Sequence, residues 1–285
     1  MQIPDIHIHP DFSFDAHGSI AQYAQAASTM GLEEICFTTH LDLDPARKEA
    51  DGWVNVNGDQ FPSDNPAWLV PYLEQIEQAR CQTSGLRIKS GLEIDYFSGV
   101  EGLLAPFLSA YPWDYLLGSV HCLEHLAVAE HSQGMAYLSR HTPAEVASAT
   151  VELTLAAIRS GKFTAIAHLD YLKRLDVPGF RQSYQTALAD RLEEVFRALV
   201  ETETAMEINT RAINTYQLGE PFPGRDALQQ AFRCGVRQIT FGSDSHRPQE
   251  LANSFLQAKE FAIQAGFVSV TTYQGGKIER IVPLK

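Results

Sequence analysis

The 285-residue sequence predicts an α/β fold, a single domain over residues 1–285 in which about seven strand–helix units close into a barrel. Two observations predict it, and a third gains its meaning from it. Short β-rich runs alternate with longer amphipathic runs along the chain, which calls for parallel strands and right-handed crossovers. Seven units in one domain-sized chain fit a closed barrel better than an open sheet. Histidines and carboxylates recur at or just beyond the end of one β-rich run after another, where parallel strands would open onto a common mouth.

The elements follow in order. Strand one, residues 4–9, ends Asp5-Ile6-His7-Ile8-His9, and strand two, residues 34–40, ends Phe37-Thr38-Thr39-His40. Strand three, residues 86–95, closes on Gly91-Leu92-Glu93-Ile94-Asp95, and strand four, residues 115–121, on Gly118-Ser119-Val120-His121. Strand five, residues 164–168, runs into Ala167-His168-Leu169-Asp170, and strand six, residues 205–209, ends Glu207-Ile208-Asn209. Strand seven, residues 238–243, leads into Asp244-Ser245-His246. Between them, Leu188, Leu192, Val195, Phe196 and Leu199 recur at helical spacing, as do Leu251, Phe255, Ala258 and Ala262. Two stretches, 41–66 and 122–141, are long and irregular and read as functional lids or disordered insertions that would emerge at the mouth. The tail, 268–282, reads as a hairpin around Gly275-Gly276 that covers the barrel's edge or base.

Composition excludes several classes. Apolar residues make up 45% and charged residues 20%, as in a soluble globular protein. A formal charge of −13 with no basic stripe argues against nucleic acid as a partner. No apolar run is long enough to span a bilayer and the polar start is not a secretory signal, so no membrane partner is expected and a cytoplasmic location is the default. Cys36, Cys81, Cys122 and Cys234 contain no CxxC pair, which disfavours a zinc knuckle, and a reducing compartment disfavours disulfides. Oligomeric state is not legible.

Side chains two apart on a strand share a face, so His7 and His9 project together. Any one strand-end histidine is more often a hydrogen-bonded structural residue than a ligand. Chance is a poor account of the whole set, because gathering several imidazoles and carboxylates in an apolar barrel is costly without a compensating cation. A metal site at the mouth is therefore expected. His17, His125, His131 and His141 fall in loops or near helix starts and read as solvated. Asp95 and Asp170 read as local caps or pairs.

The residues His7-Ile8-His9, Thr39-His40, Gly91-Leu92-Glu93, Gly118-Ser119-Val120-His121, Ala167-His168-Leu169-Asp170 and Gly242-Ser243-Asp244-Ser245-His246 occur in an order that resembles the polymerase and histidinol phosphatase (PHP) superfamily. Glu207-Ile208-Asn209-Thr210 and Glu220-Pro221-Phe222-Pro223, with the long second and fourth loops, are similar to its histidinol-phosphatase branch. The resemblance implies a distorted (β/α)7 TIM-like barrel with two or three divalent metals, Zn, Mn or Fe, at the C-terminal mouth of the strands. It implies that His7, His9, Glu93 and Asp244 hold a first metal. Glu93 would bridge to a second with His121 and His168, and Asp15, His40 and His246 would hold a third. The commonest family pattern has His where this chain has Asp15. A carboxylate is a harder ligand, so identity and occupancy of the third site stay open. His17 fits that place less well.

The activity implied is metal-dependent phosphomonoester hydrolysis, with Glu93, Asp244 and His246 in the catalytic set. Two divalent ions close together lower the pKa of a bridging water and align the hydroxide with phosphorus. Three such ions against Glu93, Asp15, Asp244 and a hydroxide leave the pocket roughly +2, attractive to a small phosphorylated substrate despite the acidic chain. The family likeness points to Arg174 as the phosphate-binding cation. Arg211 and Arg247, which follow strand ends, are further candidates. L-histidinol phosphate is the leading substrate, and an acidic lid residue, Asp42 or Asp44, would meet its amine. Nucleotides or another small ester form the alternative. A metal amidohydrolase is disfavoured because strand four ends in His121 where a lysine is usual. A non-catalytic PHP module is disfavoured by the nearly complete ligand set.

Overall fold

The computed structural model describes residues 3–109, 111–128 and 130–284. Seven parallel strands stand in chain order: Asp5–Ile8, Glu34–Leu41, Arg87–Asp95, Tyr115–Ser119, Ala165–Ile166, Ala205–Asn209 and Ile239–Gly242. Strands one and seven meet through a parallel bridge between Ile8 and Ser245. There His9 N–H donates to Ser245 O at 2.9 Å and Asp244 N–H to His7 O at 2.9 Å, which nearly closes the barrel. The barrel expected from strand–helix alternation is the observed fold.

Helices with one apolar stripe cover the sheet. In Leu192–Glu201 that stripe is Leu192, Val195, Phe196 and Leu199, all buried. Each such side chain contributes about 1.5–3 kcal/mol on leaving water. Helix Pro143–Arg159 starts with a reciprocal Thr142/Glu145 cap, where the Thr142 hydroxyl receives the Glu145 N–H and the Glu145 carboxylate receives the Thr142 N–H. The spacing from Leu188 to Leu199 overreached: helix Phe180–Ala189 ends and a second begins at Leu192, with Leu188 packing from the first. Leu251 likewise lies in the turn before helix Phe255–Ala265, not within it.

The tail hairpin, Ser269–Gln274 against Lys277–Pro283, covers the base. Tyr273 joins Ile6, Cys36, Tyr115, Leu117 and Ala165 in a buried apolar plug. Its hydroxyl donates to Gln238 Oε1 at 3.0 Å, just before strand seven, and Gly275 N–H donates to Asp114 Oδ1 at 3.1 Å, just before strand four. The two lids are less irregular than expected. The first contains an antiparallel ladder, Trp53–Val56 with Asp59–Pro62. The second contains the short pair Cys122–Leu123 and Leu126–Ala127, then helix His131–Leu138. The four cysteines are free thiols. Among the described residues, no helix is long and apolar enough to cross a membrane.

Candidate metal centre at the barrel mouth

Strand one delivers His7 and His9 together, with Nε2 atoms 2.9 Å apart. Their outer nitrogens are engaged: His7 Nδ1 lies 2.5 Å from Glu207 Oε1, and His9 Nδ1 lies 3.2 Å from Ser13 Oγ. Both Nε2 atoms therefore turn inward. They face Glu93 Oε2 at 3.3 and 3.4 Å and Asp244 Oδ1 at 3.9 and 3.5 Å. These separations bracket the edge of about 3.3 Å of a tetrahedron whose corners lie about 2.0–2.1 Å from a central zinc. The four residues are at most 5% exposed.

Glu93 turns its other oxygen to a second group. Oε1 lies 3.0 Å from His168 Nε2 and 3.6 Å from His121 Nε2, and those two nitrogens are 3.3 Å apart. One carboxylate thus spans two sets of donors. Strand five is shorter than expected because the chain leaves the sheet after Ile166. His168 takes a left-handed φ of 22°, and its N–H turns to Glu207 Oε2 at 3.0 Å. Strand four stops at Ser119, and the His121 N–H donates to Asp95 Oδ1 at 2.7 Å. Asp244 also has a left-handed φ, 53°, a conformation that costs about 1–3 kcal/mol in general and less for aspartate.

The third group is His9, His40 and His246. The His9 ring centroid lies 4.1 Å from that of His40 and 4.3 Å from that of His246. Asp15 joins them from the rim, 3.6 Å from His40 Nε2 and 3.1 Å from His246 Nε2, with its side chain 41% exposed. The structure thus brings His9 into two groups, where the family likeness had placed it in one.

Charges here balance only collectively. Burial works to lower the pKa of His7, but the carboxylates of Glu207, Glu93 and Asp244 outweigh it and hold the ring well above the usual range. His9, 2.9 Å away, is pushed well below it by burial and then by the rings of His40 and His246. Burial takes His121 down to about 3 against the pull of Glu93. A divalent cation at these lone pairs would replace the protons that the carboxylates otherwise demand, and mixed imidazole and carboxylate donors suit zinc, manganese or iron.

Residues 5–211 match the family model for the PHP domain. The chain belongs to the PHP family. This PHP chain is 26% identical over 279 residues to the histidinol-phosphatase of Lactococcus lactis subsp. lactis, covering 97% of this chain and 96% of that protein. It is 27% identical over 268 residues to the probable histidinol-phosphatase of Deinococcus radiodurans, covering 94% and 95%. Among solved structures, the histidinol phosphate phosphatase of Lactococcus lactis subsp. lactis, crystallised with zinc, L-histidinol and phosphate, matches with a TM-score of 0.81 at 27% identity, covering 98% of this chain and 99% of that one.

Above the three groups of the PHP domain lies a cavity of about 490 Å³. Arg174 lines it between the rings of Tyr171 and Tyr216, 4.8 and 4.4 Å from their centroids, and donates to both hydroxyls. Arg211 lines it too, donating from Nη1 to Asp244 O at 2.6 Å, with the same atom 2.8 Å from His246 Nδ1. Arg247 is exposed and lines a separate surface pocket with His17 and Pro248, so it is not brought to the mouth. Asp42 lines the cavity, whereas Asp44 does not: its carboxylate caps the turn at Ala46 and meets His125 Nδ1 at 2.6 Å.

The two lids are tied together over this cavity. Buried Arg47 donates to His125 O at 3.0 Å, to Gln133 Oε1 at 2.7 Å and to Asp51. Sequence reasoning missed Arg47, Tyr171 and Tyr216, whose roles depend on packing between distant loops. His141 is not simply solvated, since its ring stacks on Tyr137 at 4.0 Å. Asp170 pairs with buried Lys173 at 2.8 Å and accepts the Gly224 N–H. Asp15→Ala is expected to lower the bound-metal count by part of one equivalent and activity by about tenfold. A metal count equal to wild type would remove Asp15 from the ligand set.

Proposed function

We propose that this chain is a metal-dependent phosphomonoesterase that hydrolyses L-histidinol phosphate to L-histidinol and phosphate, with two or three divalent ions, zinc foremost, held by the three groups at the mouth. The observation that carries the reading is Glu93, whose two oxygens face two separate sets of imidazoles at the floor of the cavity. The name and bound molecules of the Lactococcus relative support the substrate. Bound ions would supply an activated water and neutralise charge building on the phosphoryl oxygens. His7, His9, Glu93 and Asp244 would hold one ion, Glu93, His121 and His168 another, and His40, His246 and Asp15 the third.

The chain's own side chains would orient the ester. Arg174 and Arg211 stand on the rim after strands five and six and would take the phosphate oxygens, with Tyr171 and Tyr216 stacking the Arg174 guanidinium in place. Asp42 stands on a different arc, in the lid after strand two, and would meet the ammonium of the leaving alcohol. The cavity sets Arg174 and Arg211 after strands five and six, and Asp42, beside an Arg47 engaged by Asp51 and Gln133, after strand two, which suits a substrate that carries phosphate at one end and a basic group at the other. A nucleotide offers no such cation.

Phosphate release from L-histidinol phosphate, a nucleoside monophosphate and a simple aryl phosphate tests this. Histidinol phosphate is expected to be preferred by at least about 100-fold in kcat/KM. Asp42→Asn should erase most of that preference by raising KM for histidinol phosphate, with the aryl ester unaffected. A histidinol-phosphate rate no better than the nucleotide's would move the assignment to a nucleotide phosphoesterase.

A further inference from the structure

Strand six ends at the mouth yet supplies no member of the three groups. Its Glu207 is nevertheless only 1% exposed, with both oxygens engaged. Oε1 lies 2.5 Å from His7 Nδ1, and Oε2 accepts the His168 N–H at 3.0 Å and Asn209 Nδ2–H at 3.2 Å. Asn209 Nδ2 also donates to Asp244 Oδ2 at 3.2 Å, while its Oδ1 accepts the Arg211 N–H at 3.0 Å. His7 and Asp244 therefore face each other on one side and are linked on the other. In front, Nε2 faces Oδ1, and behind, Glu207 and Asn209 complete an arc of hydrogen bonds. Strand seven makes room for this arc with Gly242, where a Cβ would stand 2.2 Å from Glu207 Oε1 and 2.4 Å from His7 Cβ.

We infer that Glu207 is a positioning residue for the metal held by His7, His9 and Asp244, setting the His7 ring directly and the Asp244 carboxylate through Asn209. A carboxylate acceptor at Nδ1 fixes the tautomer with its proton on that nitrogen and leaves the Nε2 lone pair for an ion. The same carboxylate on the His168 N–H holds the backbone that presents a ligand of the second group. Glu207 thus links donors from strands one, five and seven without touching an ion itself. A carboxylate this deeply buried is costly unless positive charge stands nearby, and a metal held by His7 would supply it. The inference rests on the metal reading of the site.

The test is zinc titration of wild type and Glu207→Gln against a competing chromophoric chelator at one pH, with metal-free thermal melts of both. Glu207→Gln keeps the volume and removes the charge. The zinc equivalent held through His7 is expected to weaken by about 10- to 100-fold, and the one held through His168 by less. A strut with no role toward metal would lower the melting temperature and leave every zinc affinity unchanged, and that result overturns the inference alone. Wild type that binds no zinc at all overturns the metal reading with it. Should Glu207→Gln fail to fold, histidine-ring nitrogen NMR of zinc-loaded wild type decides. His7 must carry its proton on Nδ1 and bind through Nε2, and the reverse arrangement overturns the inference.

Discussion

Glu93→Gln should release no detectable phosphate, a loss of at least about three orders of magnitude. Glu93 Oε2 lies within 3.4 Å of ring nitrogens of His7, His9 and His40, and Oε1 within 3.6 Å of those of His121 and His168. A carboxamide supplies one acceptor in place of two and aims an NH2 group at nitrogens whose lone pairs already converge. It also removes a negative charge from a site where five imidazoles crowd one carboxylate. The groups of donors that Glu93 faces are then weakened together, whereas Asp244→Asn bears first on the group with His7 and His9. The barrel should still fold, since the strand ladders on either side of Glu93 are backbone bonds that the substitution leaves alone. Phosphate release, metal content and circular dichroism on the same sample check this. Wild-type turnover in Glu93→Gln would end the ligand assignment.

Dialysis of the protein against a strong chelator should abolish activity, and zinc should restore it. Chelation should also lower the thermal midpoint substantially. An ion present at about 1,000 times its Kd stabilises the folded state by about 4 kcal/mol per site. For a domain of this size that corresponds to about 7 °C per site. The physical cause is in the crowding itself. Six histidine rings gather at one mouth with Glu93 and Asp244, and most of these groups are buried. Without a cation, protons must take its place. The opposed behaviour of neighbouring His7 and His9 is the consequence, one held above its ordinary range by carboxylates and the other below it by burial and like charge. Differential scanning calorimetry with and without chelator reads the effect, and an unmoved midpoint with full activity would contradict it.

Much of the site was legible because its donor side chains follow short periodicities. His7 and His9 are two residues apart on one strand, so their sharing a face follows from the pleat, and their Nε2 atoms meet at 2.9 Å. Glu93, His121, His168 and Asp244 were legible as ends of β-rich runs once parallel strands were inferred. Glu207 was seen only as part of a strand end. Its partner His7 lies 200 residues earlier in the chain, and nothing local to Glu207 signals that contact. The arginines divide for a similar reason. Arg211 and Arg247 both follow strand ends, but the first turns back to Asp244 O and the second faces outward, a difference made by the turn each occupies.

What the chain's order of residues determined unaided is the alternation of strands and helices, and with it a parallel barrel whose strand ends carry imidazoles and carboxylates to one mouth. Those features depend on hydrophobic period and on which side chains stand at the ends of runs, and both are local. What tertiary structure alone decided is how the donors are shared and held. Glu93 faces two groups, His9 serves two, Glu207 and Asn209 brace the first from behind, and Arg47 ties one lid to the other. Each depends on atoms far apart in the chain meeting within about 3–4 Å, and the closure of the barrel brings about that proximity.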